Sequence, residues 1–136
     1  MDTLKQKIFD EFLNKEGFIK DNNIILEELE LNHSKISMVI EQRHLNPSKI
    51  VHGGIIFSLA DTAMGIAART NDSNVVTVNA QIDYLRPAKT SKLYATAESI
   101  RVGHKVAVYK TEIKDENDKL VAVCTGTFFF IENKEF

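Results

Sequence analysis

The sequence has few of the residues that mark disulfide-rich, membrane-spanning or nucleic-acid-binding proteins. It contains one cysteine, Cys124, two prolines and no tryptophan in 136 residues. A single cysteine cannot form an intramolecular disulfide or a cysteine metal cluster, so we expect a reducing, cytoplasmic setting and no metal. The 17 Lys and Arg are interspersed with 19 Asp and Glu, which argues against a nucleic-acid partner. No run approaches the roughly 18 apolar residues of a membrane span, so we expect no membrane partner.

The order of helical and strand patterns predicts one α+β domain over residues 1–136. Apolar residues at three-to-four-residue spacing predict an N-terminal helix over 1–16, and a longer apolar segment predicts a central helix over 53–69. Alternating runs rich in β-branched and aromatic residues predict six strands: two between residues 23 and 42, and one each at 75–85, 92–101, 105–115 and 119–132. Short connections favour hairpins, so we expect one antiparallel sheet wrapped around the central helix.

The predicted central helix is apolar on every side. Between Ile55 and Ala68 its only charged side chain is Asp61. A helix that is apolar all round is a buried helix, and its alanines keep it thin enough for strands to pack closely. A carboxylate two turns into such a helix needs either a buried hydrogen-bond donor or a cleft in which it acts as general base or nucleophile. The residues alone leave both interpretations open.

Two glycines, Gly53 and Gly54, open this helix. They either turn the chain into a tightly packed helix or leave the first backbone N–H groups accessible to an oxyanion. Eight residues separate Gly53 from Asp61, which is roughly 12 Å along a helix and too far for both to contact one carbonyl group. Two central helices lying antiparallel across a two-fold axis would bring these residues together from different protomers. We therefore expect a homodimer with shared active sites.

Four sequence segments form a specific combination: Asn46, His52-Gly53-Gly54, LADTA at 59–63 and DYLRPA at 83–88. Together they resemble the hotdog-fold thioesterases of the PaaI (phenylacetate pathway) type, and the resemblance extends over about residues 18–131. It implies the hotdog fold, a tetramer built from two dimers, and hydrolysis of acyl-CoA thioesters. No cofactor is implied, since coenzyme A enters as part of the substrate.

The resemblance also implies roles for individual residues. The backbone N–H of Gly53 would donate to the thioester oxygen, and Asn46 would position the thioester or the attacking water. Asp61 would act from the other protomer, either as base or as nucleophile. In related proteins a Ser or Thr on the following strand assists this acid, and that position falls on Thr77.

Other residues are candidates for binding the substrate or its coenzyme A portion. Gly54 belongs to the glycine pair, and His52 either contacts the substrate or caps, packs or orders the helix start. Arg86 either contacts the ligand or packs between subunits. A cationic hairpin either meets the phosphates of coenzyme A or is a solvated turn; its residues are Arg101, His104 and Lys105. Apolar lining for an aryl-acetyl or medium-chain acyl group is expected from Phe57, Met64, Ile66 and 128–130, whereas Cys124 is expected to be a packed thiol.

Three functions are compatible with these residues. Hydrolysis of acyl-CoA thioesters leads, because Asp61 together with Asn46 favours catalysis. A non-catalytic acyl-CoA-binding or sensing protein is the second, since the same fold serves ligand-sensing regulators. A hotdog dehydratase or hydratase would pair a His with an acid, and the HGG-x6-D spacing fits that reaction less well. The sequence does not define the acyl group.

Overall fold

The computed structural model describes residues 2–131. Residue 1 and residues 132–136 lie outside the described residues, including the last position of the predicted sixth strand and both ends of the predicted domain. The helices are α1 (Asp2–Ile8), a π-helical turn (Phe9–Leu13), α2 (Phe18–Asp21), a 3-10 turn (Gln42–His44) and α3 (Gly53–Arg69). The strands are β1 (Ile25–Glu30), β2 (His33–Val39), β3 (Asn74–Tyr84), β4 (Lys92–Val102), β5 (Val106–Asp115) and β6 (Leu120–Ile131).

All six strands form one sheet in the order β1-β2-β4-β5-β6-β3. Every neighbouring pair is antiparallel. The predicted α+β class with one antiparallel sheet is thereby confirmed. Strands β1 and β3 are the two edges of the sheet, so that β3 lies at the opposite side of the molecule from β1, five strand spacings or roughly 24 Å away.

Helix α3 packs against the inner face of the sheet, and its small residues set how closely. Ala60 and Ala63 are completely buried, and the hydroxyl of Ser34 on β2 donates a 2.7 Å hydrogen bond to the Ala63 carbonyl. On β6 a Cβ at Gly126 would lie only 2.9 Å from the terminal methyl of Met64. Helix and sheet therefore meet at contact distance, which the alanines and this glycine permit.

The N-terminal segment differs from the predicted helix over 1–16. Helical geometry is α from Asp2 to Ile8 and then π from Phe9 to Leu13, followed by a turn and the separate short helix α2. Its most deeply buried apolar residues, Ile8 and Leu13, are five positions apart. This is the spacing of a π turn, which places both on the face that packs on the core. Gly17, with φ of 141°, separates the two helical pieces.

Candidate active site

Asp61 and Thr77 are hydrogen-bonded to each other beside the β3 edge of the sheet. The Thr77 hydroxyl donates to Oδ1 of Asp61 at 2.7 Å. Thr77 faces the helix just before a bulge in the pairing of β3 with β6, at Val78. Because α3 crosses the inner face of β3 here, the carboxylate has a defined partner without being sealed in the core. Its second oxygen has no hydrogen-bond donor among residues 2–131.

Asp61 and Thr77 border a cleft of about 290 Å³. The cleft runs between one side of α3 and the bulged part of β3, and its walls combine apolar and polar groups. It is lined by Phe57, Ser58, Asp61, Thr77, Val78, Asn79 and Ala80. Phe57 and Asp61 are one helical turn apart, so an apolar ring and a carboxylate border the same space.

Two side chains fix the first turn of α3. Nδ1 of His52 accepts the Gly54 N–H at 2.8 Å, which makes His52 the N-cap and leaves the proton of the neutral imidazole on Nε2. The Tyr84 hydroxyl donates to the Gly53 carbonyl at 2.9 Å, and its ring lies 3.3 Å from where a Gly53 Cβ would be. Within the part of the chain that the structure describes, the Gly53 N–H is left without an acceptor.

These contacts separate the roles of the two glycines. The Gly54 N–H, predicted as an accessible donor, is occupied by His52, so only the Gly53 N–H remains available to a ligand oxygen. For His52 the structure supports the capping alternative. Tyr84 was not singled out from the sequence, because its contact with Gly53 joins residues 31 positions apart and depends on the register of β3.

Asn46 shapes the loop that leads into α3. Its side-chain Oδ1 accepts the N–H groups of Ser48 at 2.9 Å and Ile50 at 3.3 Å, and its own N–H donates to the Ile50 carbonyl at 2.8 Å. This is an Asx-type turn, for which the Asn-Pro-Ser sequence is a typical signal. The carboxamide NH₂ has no partner in residues 2–131, so the side chain keeps one donor group available.

A buried histidine anchors the same loop to the rest of the molecule. Nδ1 of His44 accepts the Glu41 N–H at 2.9 Å, and its Nε2–H donates to Oδ1 of Asn22 at 2.8 Å. Burial lowers the pKa of His44, and the neutral form is the one that these two bonds require. The His44 carbonyl in turn accepts the His52 N–H at 2.9 Å, which ties the start of α3 to this fixed point.

The predicted coenzyme A-binding cations are not next to Asp61 within one chain. Arg101, His104 and Lys105 are exposed in the β4–β5 hairpin. Pairing through β5 and β6 places that hairpin two to three strand spacings, roughly 10 to 14 Å, from Thr77. Arg86 is exposed after the end of β3, where its backbone N–H contacts the Val121 carbonyl.

The expected apolar lining is only partly at the cleft. Phe57 borders it, whereas Met64, Ile66 and Phe128 are fully buried in the core. Phe129 is 39% exposed and alternates with Phe128, which puts it on the outer face of the sheet. A helix that is apolar all round does not reveal which of its residues face a cleft, so this assignment needed the structure.

Cys124 is a buried thiol below the helix. Burial, with the nearby negative charge of Asp61, raises its pKa to about 11, which disfavours the nucleophilic thiolate. No group of three or more His, Cys, Asp or Glu side chains within residues 2–131 is arranged to hold a metal ion. None of the helices in this range is long and apolar enough to cross a membrane.

Comparison with known proteins identifies the family. The sequence profile of the thioesterase superfamily matches residues 48–122. A proposed esterase of Archaeoglobus fulgidus is 36% identical over 110 residues, covering 80% of this chain and 71% of that protein. The acyl-coenzyme A thioesterase PaaI of Escherichia coli is 36% identical over 92 residues, covering 67% of this chain and 66% of PaaI. The medium/long-chain acyl-CoA thioesterase YigI of Escherichia coli is 32% identical over 95 residues, covering 58% and 61%.

The fold agrees with the sequence comparison. The structure of Escherichia coli PaaI superposes with a TM-score of 0.89 at 29% identity, covering 96% of this chain and 94% of that one. The predicted hotdog fold is therefore confirmed. The sequence matches span 61% to 71% of the length of the three relatives named above. This chain belongs to the thioesterase superfamily and is a thioester hydrolase of the PaaI-type hotdog fold.

Proposed function

We propose that this protein hydrolyses acyl-CoA thioesters to a free carboxylic acid and coenzyme A. The observation that carries the proposal is the 2.7 Å hydrogen bond from Thr77 to Asp61 at an open cleft. This bond holds one carboxylate oxygen, while the other has no donor within residues 2–131, as a base or nucleophile requires. The similarity to PaaI and YigI, both acyl-CoA thioesterases, supports coenzyme A as the leaving group.

The second element is a donor for the developing oxyanion. The Gly53 N–H lies at the N-terminus of α3, where the helix dipole favours negative charge. His52 and Tyr84 both hydrogen-bond the peptide group between Gly53 and Gly54, and the His52 N–H donates to the His44 carbonyl, so the Gly53 donor is fixed before the substrate arrives. Such preorganised donors stabilise a tetrahedral intermediate without reorganisation, and each one contributes about 10² to 10³ in rate.

The site is shared between two copies of the chain in this proposal. Gly53 and Asp61 are eight residues apart on one helix, roughly 12 Å, so one copy cannot present both to a single carbonyl. Both lie along β3, an edge strand whose bulge residue Val78 is 61% exposed. A second copy packed antiparallel on this edge would bring its Gly53 toward Asp61 and cover the exposed apolar surface.

The reaction then follows from these groups. As a general base, Asp61 takes a proton from the water that attacks the thioester carbonyl; as a nucleophile, its carboxylate attacks and forms an acyl-aspartate anhydride, which water then hydrolyses to the free acid. On either route the oxyanion is held by the Gly53 N–H of the partner subunit, the carbon–sulfur bond breaks, and the coenzyme A thiolate leaves and takes up a proton from Asp61 or solvent. The carboxamide NH₂ of Asn46 is the group that would orient the thioester or the attacking water. Phe57, with the apolar atoms of the cleft, would contact an aryl-acetyl or medium-chain acyl group.

The remaining parts of the proposal concern the assembly. We place the coenzyme A phosphates near Arg86 and the exposed hairpin of Arg101, His104 and Lys105, where guanidinium and ammonium groups would pair with them. Pairing of two dimers into a tetramer and a cytoplasmic location complete the proposal.

Release of coenzyme A thiol from a panel of aryl-acetyl, short, medium and long acyl-CoAs tests the reaction. Wild type should turn over part of the panel, and Asp61→Asn should lose turnover while still binding acyl-CoA. Binding without turnover by wild type would support the sensing alternative instead. Single-turnover hydrolysis in ¹⁸O-labelled water then separates the two roles of Asp61. A general base always puts solvent oxygen into the acid, whereas a nucleophile forms an acyl-aspartate anhydride, and attack of water on its Asp carbonyl gives unlabelled acid in the first turnover. Unlabelled acid therefore identifies the nucleophilic role.

A further inference from the structure

A second groove lies at the opposite edge of the sheet from the active-site cleft, and we call it the β1 groove. It is bounded by α1 and the π-helical turn on one side and by the first residues of β1 on the other. Its volume is about 730 Å³, within the roughly 300–1,000 Å³ of small-molecule sites. Because β1 and β3 are the two edges of the sheet, the β1 groove is separate from the cleft at Asp61 in each chain.

The base of the β1 groove is apolar and its sides expose large hydrophobic groups. Leu13 and Ile24 are buried beneath it. Phe9 on the π-helical turn and Ile25 at the start of β1 both line it, with 45% and 50% of their surface exposed. Apolar groups of this size that remain exposed in one concavity favour an apolar ligand group, since its binding removes their surface from water.

The polar groups of the β1 groove are cations and amides. The residues that line it include Lys5, Lys20 and three carboxamides but no Asp or Glu, and two carboxylates contact the lining from outside: Glu16 at Lys20 and Asp10 at Gln6. The carboxamides are Gln6, Asn14 and Asn23. Lys5 has no ion-pair or hydrogen-bond partner within residues 2–131. Lys20 pairs with Glu16 at 3.1 Å, an exposed pair whose net contribution is small, so that its ammonium group can be shared with a ligand.

We propose that the β1 groove binds an amphipathic carboxylate. The carboxylate group would lie between Lys5 and Lys20, and the alkyl or aryl group would pack on Phe9 and Ile25. Charge complementarity selects this ligand class, because the charged residues that line the groove are Lys5 and Lys20, only the second of which has a carboxylate partner, while the floor is apolar. The identity of the natural ligand rests on the proposed function: the free acid released by thioester hydrolysis is an amphipathic carboxylate, so this would be a second site for the product.

Calorimetric titration with sodium decanoate tests the site, with decanol as the uncharged control ligand. Phe9→Ser and Lys5→Glu should each lower the affinity for decanoate at one class of sites, the β1 groove, by about tenfold or more. The first removes apolar contact and the second reverses a charge. Lys15→Glu is the matched control: it makes the same charge change in the N-terminal segment outside the β1 groove, and should leave binding unchanged. Decanol should bind this class at least about tenfold more weakly than decanoate, since it lacks the charge that the lysines pair with.

Phe9 and Lys5 are exposed, so the variants should keep the wild-type melting temperature and the wild-type rate of thioester hydrolysis. Unchanged decanoate binding in both variants would overturn the proposal, as would equal affinity for decanol. A change in oligomeric state with unchanged decanoate binding would also overturn it and make the groove a contact between copies. If wild type releases no thiol from any acyl-CoA while the variants still lose decanoate binding, the proposed function fails and the carboxylate site stands.

Discussion

Replacing Thr77 by Val tests whether the hydrogen bond to Asp61 serves catalysis. Valine keeps the shape and the β-branched character that suit a strand, and it removes only the hydroxyl that donates to Asp61 at 2.7 Å. A hydrogen bond to a charged group is worth about 1.5 to 3 kcal/mol, and each 1.36 kcal/mol corresponds to about tenfold in rate. The expected result is therefore a loss of about 10- to 100-fold in kcat.

Steady-state release of coenzyme A thiol measures this change. Because Thr77 acts on the carboxylate and not on the bound acyl-CoA, KM should change little while kcat falls. Thr77→Ser is the matched variant: it keeps the hydroxyl and should recover most of the rate. Thr125→Val, on the exposed part of β6, controls for the same substitution in a neighbouring strand. Equal rates for Thr77→Val and wild type would refute the assigned role, as would equal losses in the Val and Ser variants.

Three further predictions follow from the site and its supports. Gly53→Ala should lower kcat by about 10- to 100-fold without loss of melting temperature, because the new Cβ meets the Tyr84 ring at 3.3 Å while alanine favours the helix. Since burial lowers the pKa of His44, the unfolded chain, with a value near 6.5, binds the proton more readily. The melting temperature should therefore fall as pH drops below about 6.5, and this fall should be smaller in the His44→Gln variant. Native Cys124, buried and with its pKa raised to about 11, should react with a thiol reagent only after denaturation.

The central helix could be predicted from the sequence because its signals agree with one another. An apolar segment with one carboxylate, preceded by two glycines, defines a buried helix, and the structure gives it the bounds Gly53–Arg69. The six strands could likewise be predicted, from their alternating apolar residues and the turn residues between them. The π turn at Phe9–Leu13 could not be predicted, because apolar spacing in a short helix does not distinguish α from π geometry.

The candidate site was only partly accessible from the sequence. The proximity of Asp61 and Thr77 depends on how α3 crosses β3, and it was available only through the family resemblance. The contact of Tyr84 with Gly53 depends on the register of β3, which no local pattern defines. Asn46 also accepts hydrogen bonds as the first residue of an Asx turn. The Asn-Pro-Ser sequence is a typical signal for such a turn, so this second role could have been predicted from the sequence.

Mixing two inactive variants tests the central claim, that each active site combines Gly53 of one subunit with Asp61 of the other. Asp61→Asn removes the carboxylate, and Gly53→Val crowds the helix start with a branched side chain. The two proteins are mixed in equal amounts, unfolded and refolded together, and thiol release is measured. Random pairing makes about half of the dimers mixed, and each mixed dimer has one intact site of two, so activity should recover to about a quarter of wild type. No recovery, with mixed dimers confirmed by mass spectrometry, would mean that one subunit supplies both groups and would contradict the account.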